Sequence, residues 1–261
     1  MIGQFDTSSQ SIGKRLQVDL RAWSWLTMAG IIACAALIPV VVDTYFIQSI
    51  PAVTVEQLPL LGFALLVGGV LVASLTYFGL RLSRLAGVEI TPVLEGKQTF
   101  GEIFRPAVLI GVGSGVIVAI LNRLIPIPAL FPAPHSLPSL DANLIKAFYG
   151  GIFEELCLRL LAIPLIAILI FSIEKTISQK MDWAPRKPVM WLAISLVALL
   201  YGCANLAVAT QYSQPFTIYI AVRVLLTHSI LGLAFGWCFW RKGIEAAILA
   251  HLTTNLFLLV F

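Results

Sequence analysis

Residues 142–173 read ANLIKAFYGGIFEELCLRLLAIPLIAILIFSI. Apolar side chains fill most of this stretch, and it is longer than the roughly 20 residues that an α-helix needs to cross a bilayer. It nevertheless carries Glu154, Glu155 and Arg159. A charge in the middle of a membrane helix costs about 2.5–3.5 kcal/mol on insertion scales, so such groups usually face the interior of a bundle and mark a function or an internal ion pair.

The composition of the whole chain is that of a membrane protein. Of its 261 residues, 59% are hydrophobic and 11% are charged, whereas soluble domains have about 45–50% apolar and about 25% charged residues. A soluble protein of this composition would expose apolar patches that it could not cover. Since no long polar stretch is present, we expect a polar cytoplasmic arm at residues 1–21 and a single membrane domain at 22–261, with 142–261 as its motif-bearing core.

Seven stretches are apolar over a length that fits a transmembrane helix, so the sequence predicts an all-α, polytopic membrane helix bundle. They are residues 22–42, 58–80, 107–127, 142–173, 189–209, 215–240 and 244–261. Lysine and arginine gather in the N-terminal arm and in every second connection, for example at Arg84, Lys97 and Arg105. Because cytoplasmic connections carry this excess of positive charge, the N-terminus is predicted to be cytoplasmic and the C-terminus to lie outside.

Glycine spacing predicts two places where the spans touch. Gly111 and Gly115 in the third span, and Gly232 and Gly236 in the sixth, have the small-xxx-small spacing that lets helix backbones approach closely.

Other readings of the composition are weaker. The net charge of +4 does not indicate a nucleic-acid partner, because the basic residues lie between apolar segments and no basic groove motif is present. The four cysteines lie inside apolar segments without the spacing of metal ligands or of a disulfide framework, so we interpret them as small buried hydrophobes. They are Cys34, Cys157, Cys203 and Cys238. Residues 1–20 are polar and do not resemble a cleavable signal peptide.

The sequence predicts different partners and different roles for the two adjacent glutamates. Glu155 and Arg159 are four residues apart and share a helix face, so they can pair. Glu154 points about 100° away, and Arg159 need not neutralise it. Two neighbouring carboxylates in a low dielectric do not both stay ionised cheaply, which leaves Glu154 free to exchange a proton near neutral pH. The alternative is a structural ion pair that fixes the register of the helix.

The later spans carry further polar groups. His251 and Asn255, four residues apart in the last span, can both donate hydrogen bonds to an oxygen that gains negative charge. The fifth and sixth spans add Tyr201, Asn205, Arg223 and His228. We therefore expect one polar cavity in the C-terminal half. A carboxylate in such a cavity can activate water, and the His and Asn donors can stabilise the resulting oxyanion.

These residues resemble the CAAX protease and bacteriocin-processing family of intramembrane proteases, also called the CPBP or Abi family. Its first motif, Glu-Glu-x-x-x-Arg, and its last motif, His-x-x-x-Asn, are matched by Glu154, Glu155, Arg159, His251 and Asn255. Residues 235–251, FGWCFWRKGIEAAILAH, also look like the family's approach to its last motif. The resemblance covers roughly residues 144–261.

The resemblance implies hydrolysis of a peptide bond without a nucleophilic Ser or Cys. It implies that Glu154 activates water, that Glu155 and Arg159 support it, and that His251 and Asn255 form the oxyanion site. No cofactor is predicted, and this mechanism neither requires nor excludes a metal. The expected partners are membrane lipid and a membrane-associated peptide or membrane protein, and the expected location is the cell membrane.

The middle motif departs from the family pattern. Where the family has Phe-x-x-x-His, this chain has Tyr201-Gly-Cys-Ala-Asn205. Asparagine can neither act as a base nor carry a positive charge. Three explanations stand open: the chain is a pseudoprotease that keeps a peptide-binding cavity, position 205 carries an engineered change, or His228 supplies the imidazole. The third explanation predicts that the His228 ring lies within hydrogen-bond reach of Glu154 or of a water bound to it.

Three functions compete at this point. The first is an intramembrane endopeptidase, and the second is a non-catalytic membrane scaffold or regulatory protein that uses the same cavity. The third, a transporter of protons or small solutes, is disfavoured because the hydrophobic pattern shows no convincing inverted repeat.

Overall fold

The computed structural model of the chain describes residues 20–46, 58–125, 140–178, 184–212 and 216–260. Every regular element in these ranges is helical, which confirms the predicted all-α class. The elements are α1 (Leu20–Phe46), α2 (Leu58–Leu85), α3 (Phe100–Leu124), α4 (Leu140–Tyr149), π1 (Gly150–Glu154), π2 (Leu156–Ala162), α5 (Ile163–Ser178), α6 (Lys187–Tyr212), α7 (Ile218–Lys242) and α8 (Ile244–Val260).

The helices have the length and surface of transmembrane segments. In the described ranges, 6 helical runs are long and apolar enough to cross a membrane. The shorter α8 has 17 residues, which rise about 26 Å, close to the roughly 30 Å of a bilayer core. Large apolar side chains such as Leu109 (73% exposed) and Leu71 (64%) point outward, as lipid-facing residues do. The chain is therefore a multi-pass integral membrane protein.

Some predictions fall on residues that the structure does not describe. Most of the polar arm predicted for residues 1–21 lies outside the described ranges, as do the proline-rich connection at 126–139 and the start of the predicted sixth span at 215. The predicted division into an arm and a membrane domain stays a prediction.

The stretch that opened the sequence analysis forms one uninterrupted helical run, which we call the central helix (Leu140–Ser178, comprising α4, π1, π2 and α5). The prediction of a regular α-helix through 142–173 is wrong between Gly150 and Ala162, where the helix is π-helical on both sides of Glu155. A π-helix bonds each residue to the fifth one along and is rare, and short π segments often occur at functional sites.

Helix α2 accommodates the π-helical distortion. The Ser83 hydroxyl donates to the Leu160 carbonyl in π2 at 3.0 Å, which gives this buried carbonyl a partner from another helix. One turn earlier, Gly79 lets the two backbones approach, because a Cβ there would lie 3.1 Å from the Leu160 carbonyl oxygen and 2.8 Å from its Cγ. Gly79 and Ser83 therefore allow π2 to pack closely against α2.

The central helix contacts most of the other helices. Its π1 segment packs against α1 and α8, and π2 packs against α2, α6, α7 and α8. Leu156, Leu160 and Ile163 are fully buried in the core cluster that these contacts form, together with Leu80 of α2 and Ile194 of α6. The motif residues on this helix therefore face neighbours from both halves of the chain.

The predicted glycine contacts are confirmed. A Cβ at Gly111 would lie 2.5 Å from the Ala250 carbonyl oxygen, so α3 and α8 meet backbone to backbone there, and Gly115 makes the next contact along the same pair. Gly232 and Gly236 bring α7 equally close to α6. The helix pairs α3–α8 and α6–α7 are thereby held at short distances.

The third helix begins earlier than predicted, at Phe100 rather than at residue 107. Thr99 and Glu102 form a capping box, in which the Thr99 amide donates to the Glu102 carboxylate at 2.7 Å, and this motif favours a helix start. The placement of Arg84 and Arg105 in the second connection is therefore wrong, since Arg84 lies in the last turn of α2 and Arg105 in the first turns of α3.

The connection between α2 and α3 holds the start of α8. The Glu245 carboxylate accepts hydrogen bonds from the amides of Val93 at 2.9 Å and Leu94 at 3.0 Å, and the Ile244 amide donates to the Ile90 carbonyl at 2.7 Å. Gly243, with φ 85°, makes the turn from α7 to α8. Since α8 carries the last motif, these bonds fix its position against the bundle.

Candidate active site

Glu155 is the centre of a buried polar cluster. Its Oε1 lies 3.1 Å from Nη1 of Arg159, and the two side chains are 0% and 1% exposed, so the predicted ion pair is present. The same Oε1 lies 2.8 Å from Nδ1 of His251 on α8. An ionised carboxylate can only accept hydrogen bonds, so Nδ1 carries the shared proton and the second ring nitrogen, Nε2, is turned away from Glu155.

Aromatic rings enclose this cluster. The Arg159 guanidinium lies 5.5 Å from the centre of the Tyr201 ring and 5.4 Å from that of Phe235. Phe235 in turn stacks on the His251 ring, with centroids 4.7 Å apart and an interplanar angle of 25°. Cation–π contacts of this kind stabilise a desolvated guanidinium. The rings therefore hold both Arg159 and His251 in one orientation.

Glu154 has a different partner from its neighbour. The Tyr201 hydroxyl on α6 donates to Glu154 Oε2 at 2.6 Å. The sequence analysis counted Tyr201 among the polar groups of the expected cavity but did not predict its bond to Glu154. The available signal was that a buried tyrosine hydroxyl usually finds a hydrogen-bond partner, but only the fold shows that the partner is Glu154.

Three of the predicted site residues converge beside Gly150 in π1. A Cβ built on Gly150 would lie 3.7 Å from Cδ of Glu154, 3.7 Å from Nε2 of His251 and 3.5 Å from Nδ2 of Asn255. The carboxylate and the two donor groups therefore surround one small space, which we call the Gly150 space. The absence of a side chain at Gly150 leaves it open. The sequence analysis did not single out Gly150, because glycine in an apolar helix signals close packing as often as function.

Asn255 uses one of the two N–H groups of its side-chain amide to bond to α4. Its Nδ2 donates to the Ala147 carbonyl of α4 at 3.2 Å. An amide nitrogen has two N–H groups, so one is left for a ligand in the Gly150 space.

The middle-motif asparagine is turned towards its own helix. Asn205 Nδ2 donates to the Tyr201 carbonyl at 3.0 Å, and within the described part of the chain no hydrogen bond joins Asn205 to Glu154. The structure thus places Asn205 one turn from Tyr201 without bringing its amide onto the carboxylate.

His228 lies next to this region but does not bond directly to Glu154. Its Nδ1 is 2.8 Å from the Val224 carbonyl of the same helix, and its ring meets the Tyr201 ring edge-on at 5.2 Å. Among the described residues, His228 and Glu154 share no direct hydrogen bond. A contact through one water stays a prediction.

Arg223 lies outside the cluster. It donates to the Ile125 carbonyl at 3.3 Å and ties the beginning of α7 to the end of α3.

The N-terminal helices contribute an apolar groove rather than polar groups. The groove has a volume of about 290 Å³ and lies between α1 and α2, with Phe153 of π1 at one side. Ile31 and Cys34 of α1 and Gly68 and Val72 of α2 are among its lining residues. Phe153 directly precedes Glu154 in the sequence, so the groove reaches the turn of π1 that carries this carboxylate.

The cysteines are less buried than expected. Cys238 is buried, but Cys34 and Cys157 are half-buried and Cys203 is exposed, and all are free thiols. The expectation of four buried residues is wrong: Cys34 on α1 lines the groove, Cys203 on α6 is exposed at the surface of the bundle, and Cys157 on π2 is half-buried. In the described ranges, no three His, Cys, Asp or Glu side chains form a group that could hold a metal ion.

The fold and the site define a polytopic membrane protein in which a half-buried carboxylate, Glu154, and a buried one, Glu155, lie beside histidine and asparagine donors inside the bundle. Residues 139–257 match a family model described as Type II CAAX prenyl endopeptidase Rce1-like. This part of the chain is similar to the CAAX protease family that its motifs resemble, and it contains every predicted site residue. This similarity to a protease family suggests proteolysis within the membrane. No curated protein and no solved structure matches the chain.

Proposed function

We propose that this chain is an intramembrane endopeptidase that hydrolyses a peptide bond of a membrane-associated or hydrophobic peptide with water activated by Glu154. The observation that carries the proposal is the Gly150 space, around which the Glu154 carboxyl group, His251 Nε2 and Asn255 Nδ2 lie. Hydrolysis of an amide needs a base for water on one side of the carbonyl and donors for its oxygen on the other. These three groups supply both.

The reaction begins at the carboxylate oxygen that Tyr201 leaves free. Water bound to Glu154 Oε1 gives a proton to the carboxylate as its oxygen bonds to the substrate carbonyl carbon. The carbonyl oxygen becomes an oxyanion and accepts a hydrogen bond from Asn255. The proton on Glu154 then passes to the amide nitrogen as the C–N bond breaks, and the carboxylate is regenerated.

His251 has a second donor only when its ring is protonated. Its Nδ1 proton is held by Glu155 at 2.8 Å, so Nε2 donates to the oxyanion in the imidazolium form. The bond from Nδ1 to the Glu155 carboxylate fixes the ring, and Arg159 in turn pairs with Glu155. This gives the pair Glu155 and Arg159 a supporting role, and the proposed mechanism uses no metal ion.

The second candidate function is a non-catalytic binding or regulatory protein of the same family. Asn205 favours it, because this residue stands at the position of the family's histidine and its amide is bound to its own helix. Such a protein would hold a peptide or a membrane partner in the cavity without cutting it. In both cases we expect the chain to reside in the cell membrane, in contact with lipid.

The full-length chain in lipid nanodiscs tests the proposal against two internally quenched peptides. One ends in farnesyl-cysteine followed by three residues, the substrate class that the matched family's description indicates, and the other lacks the farnesyl group. We expect the wild type to cleave at least one of them. Glu154→Gln should slow the cleavage about a hundredfold or more, because the glutamine side chain cannot act as a base that accepts a proton from water.

The matched control is Asp141→Asn, an acid-to-amide change at an exposed position of the same helical run, which should cleave like the wild type. Cleavage that appears only in Asn205→His would instead support the non-catalytic candidate. The same candidate would be supported if the wild type and Asn205→His both bound the farnesylated peptide without cleaving it.

A further inference from the structure

The Tyr201 hydroxyl is committed to Glu154. The side chain is only 7% exposed, and its oxygen lies 2.6 Å from Glu154 Oε2. This distance is within the range for hydrogen bonds between a hydroxyl and an ionised carboxylate, which are among the stronger ones in proteins. The bond connects α6 to π1 across the interior of the bundle.

The tyrosine ring is held by contacts that do not involve its hydroxyl. The Arg159 guanidinium lies 5.5 Å from the ring centre, and the His228 ring meets it edge-on at 5.2 Å with an interplanar angle of 81°. The hydroxyl is therefore presented to Glu154 from a fixed position. A phenylalanine at this site would keep both ring contacts and lose only the bond to the carboxylate.

The residue one turn further along α6 does not supply this bond. The Asn205 amide donates to the Tyr201 carbonyl at 3.0 Å, and an uncharged amide cannot exchange protons with a carboxylate. Tyr201 is thus the group on α6 that acts on Glu154.

From this geometry we infer that Tyr201 is the positioning residue for Glu154: its hydroxyl fixes one carboxylate oxygen and directs the other towards the Gly150 space. The inference rests on the proposed peptidase function. During water activation the proton of water goes to Oε1, and the tyrosine keeps its own proton throughout, so no further group has to be oxidised, reduced or released. A neutral donor also stabilises the ionised carboxylate without adding a charge to the bundle.

The first test compares Tyr201→Phe with Tyr77→Phe, which removes a hydroxyl from a half-exposed tyrosine on α2. The assay is cleavage of the quenched peptides in nanodiscs, measured as separate kcat and KM values. We expect Tyr201→Phe to lower kcat about tenfold or more with KM changed less than about twofold, and Tyr77→Phe to behave like the wild type. A wild-type kcat in Tyr201→Phe would overturn the inference, and so would a rise in KM alone.

The second test needs no substrate. Dicyclohexylcarbodiimide is an apolar reagent that modifies protonated carboxyl groups inside membranes, and mass spectrometry resolves its adduct on Glu154 from that on Glu155. If the tyrosine hydroxyl stabilises the ionised carboxylate, Tyr201→Phe should label at Glu154 about threefold faster or more than the wild type, with Tyr77→Phe unchanged. Equal labelling rates would overturn the inference. If neither peptide is cleaved, the proposed function fails, while the labelling still decides the role of Tyr201.

Discussion

Glu154 and Glu155 are adjacent and chemically identical, but their side chains have different partners, and their proposed roles differ for that reason. Glu155 holds Arg159 and His251, whereas Glu154 holds Tyr201 and faces the Gly150 space. The pair of Glu155 with Arg159 was predictable, since residues four apart share a helix face. The bond between Glu155 and His251 was not, because it joins residues that only the tertiary fold brings together.

Gly150→Ala tests whether the Gly150 space is the reaction space. The added methyl group would lie 3.5–3.7 Å from the three site groups and would occupy the place of the water or the carbonyl. We expect cleavage of the quenched peptides to fall about tenfold or more. The melting temperature should be equal or higher, because alanine favours a helix over glycine by up to about 1 kcal/mol.

The control is Gly101→Ala in α3, where an added Cβ meets nothing within 4 Å. Its cleavage rate should equal that of the wild type. If Gly150→Ala also cleaves at the wild-type rate, the reaction does not take place beside Gly150.

Arg159→Ala tests the buried ion pair. The change leaves Glu155, which is 0% exposed, without its cation, and loss of one partner of a buried pair typically costs about 3–5 kcal/mol. We expect a large fall in the melting temperature of the detergent-solubilised protein. Arg105→Ala removes an exposed guanidinium from α3 and should shift it little. Similar melting temperatures for the two variants would show that the pair does not stabilise the bundle.

At the scale of the elements, the apolar pattern predicts the helices well and their internal geometry poorly. Residues 142–173 were predicted to be helical, and they are, but the π1 and π2 segments were not foreseen. The reason is physical. The Leu160 carbonyl in π2 accepts a hydrogen bond from Ser83 on another helix, α2. Hydrophobic periodicity within one segment carries no information about such a partner.

Ser83→Ala tests how far α2 supports π2. Without the hydroxyl, the buried Leu160 carbonyl loses a hydrogen bond of 3.0 Å, and an unsatisfied buried group costs about 1–3 kcal/mol. We therefore expect lower thermal stability and, because π2 carries Arg159, slower cleavage. The control is Ser24→Ala, whose exposed hydroxyl bonds only to a carbonyl of its own helix at 2.7 Å. Equal effects of the two changes would argue against a supporting role for Ser83.

At the scale of the whole molecule, the family match and the site occupy the C-terminal part of the chain. The match covers residues 139–257, and α1–α3 precede it. These helices nevertheless contact the elements that carry the site. Ser83 of α2 bonds to π2, and the 90–94 segment bonds to the start of α8. Helices α1 and α2 also form the apolar groove beside Phe153. The motifs predict which residues form the candidate site, but they do not indicate how the first three helices support it.

The predicted orientation places the α2–α3 connection in the cytoplasm and the start of α7 outside. With the four native cysteines replaced, Glu89→Cys, an exposed position in that connection, should react with a membrane-impermeant maleimide only in inside-out vesicles. Phe216→Cys, exposed just before α7, should react only in right-side-out vesicles. The opposite pattern would reverse the orientation that the positive charges indicate.

The central claim is that Glu154 activates water for peptide hydrolysis within the membrane. The most direct measurement is the single-turnover cleavage rate of the farnesylated and unmodified quenched peptides by wild type and by Glu154→Gln, in nanodiscs of the same lipid. The account predicts that the wild type cleaves a peptide and that Glu154→Gln cleaves it at least about a hundredfold more slowly. Peptide binding should be retained in Glu154→Gln. Equal rates in the two proteins would contradict it.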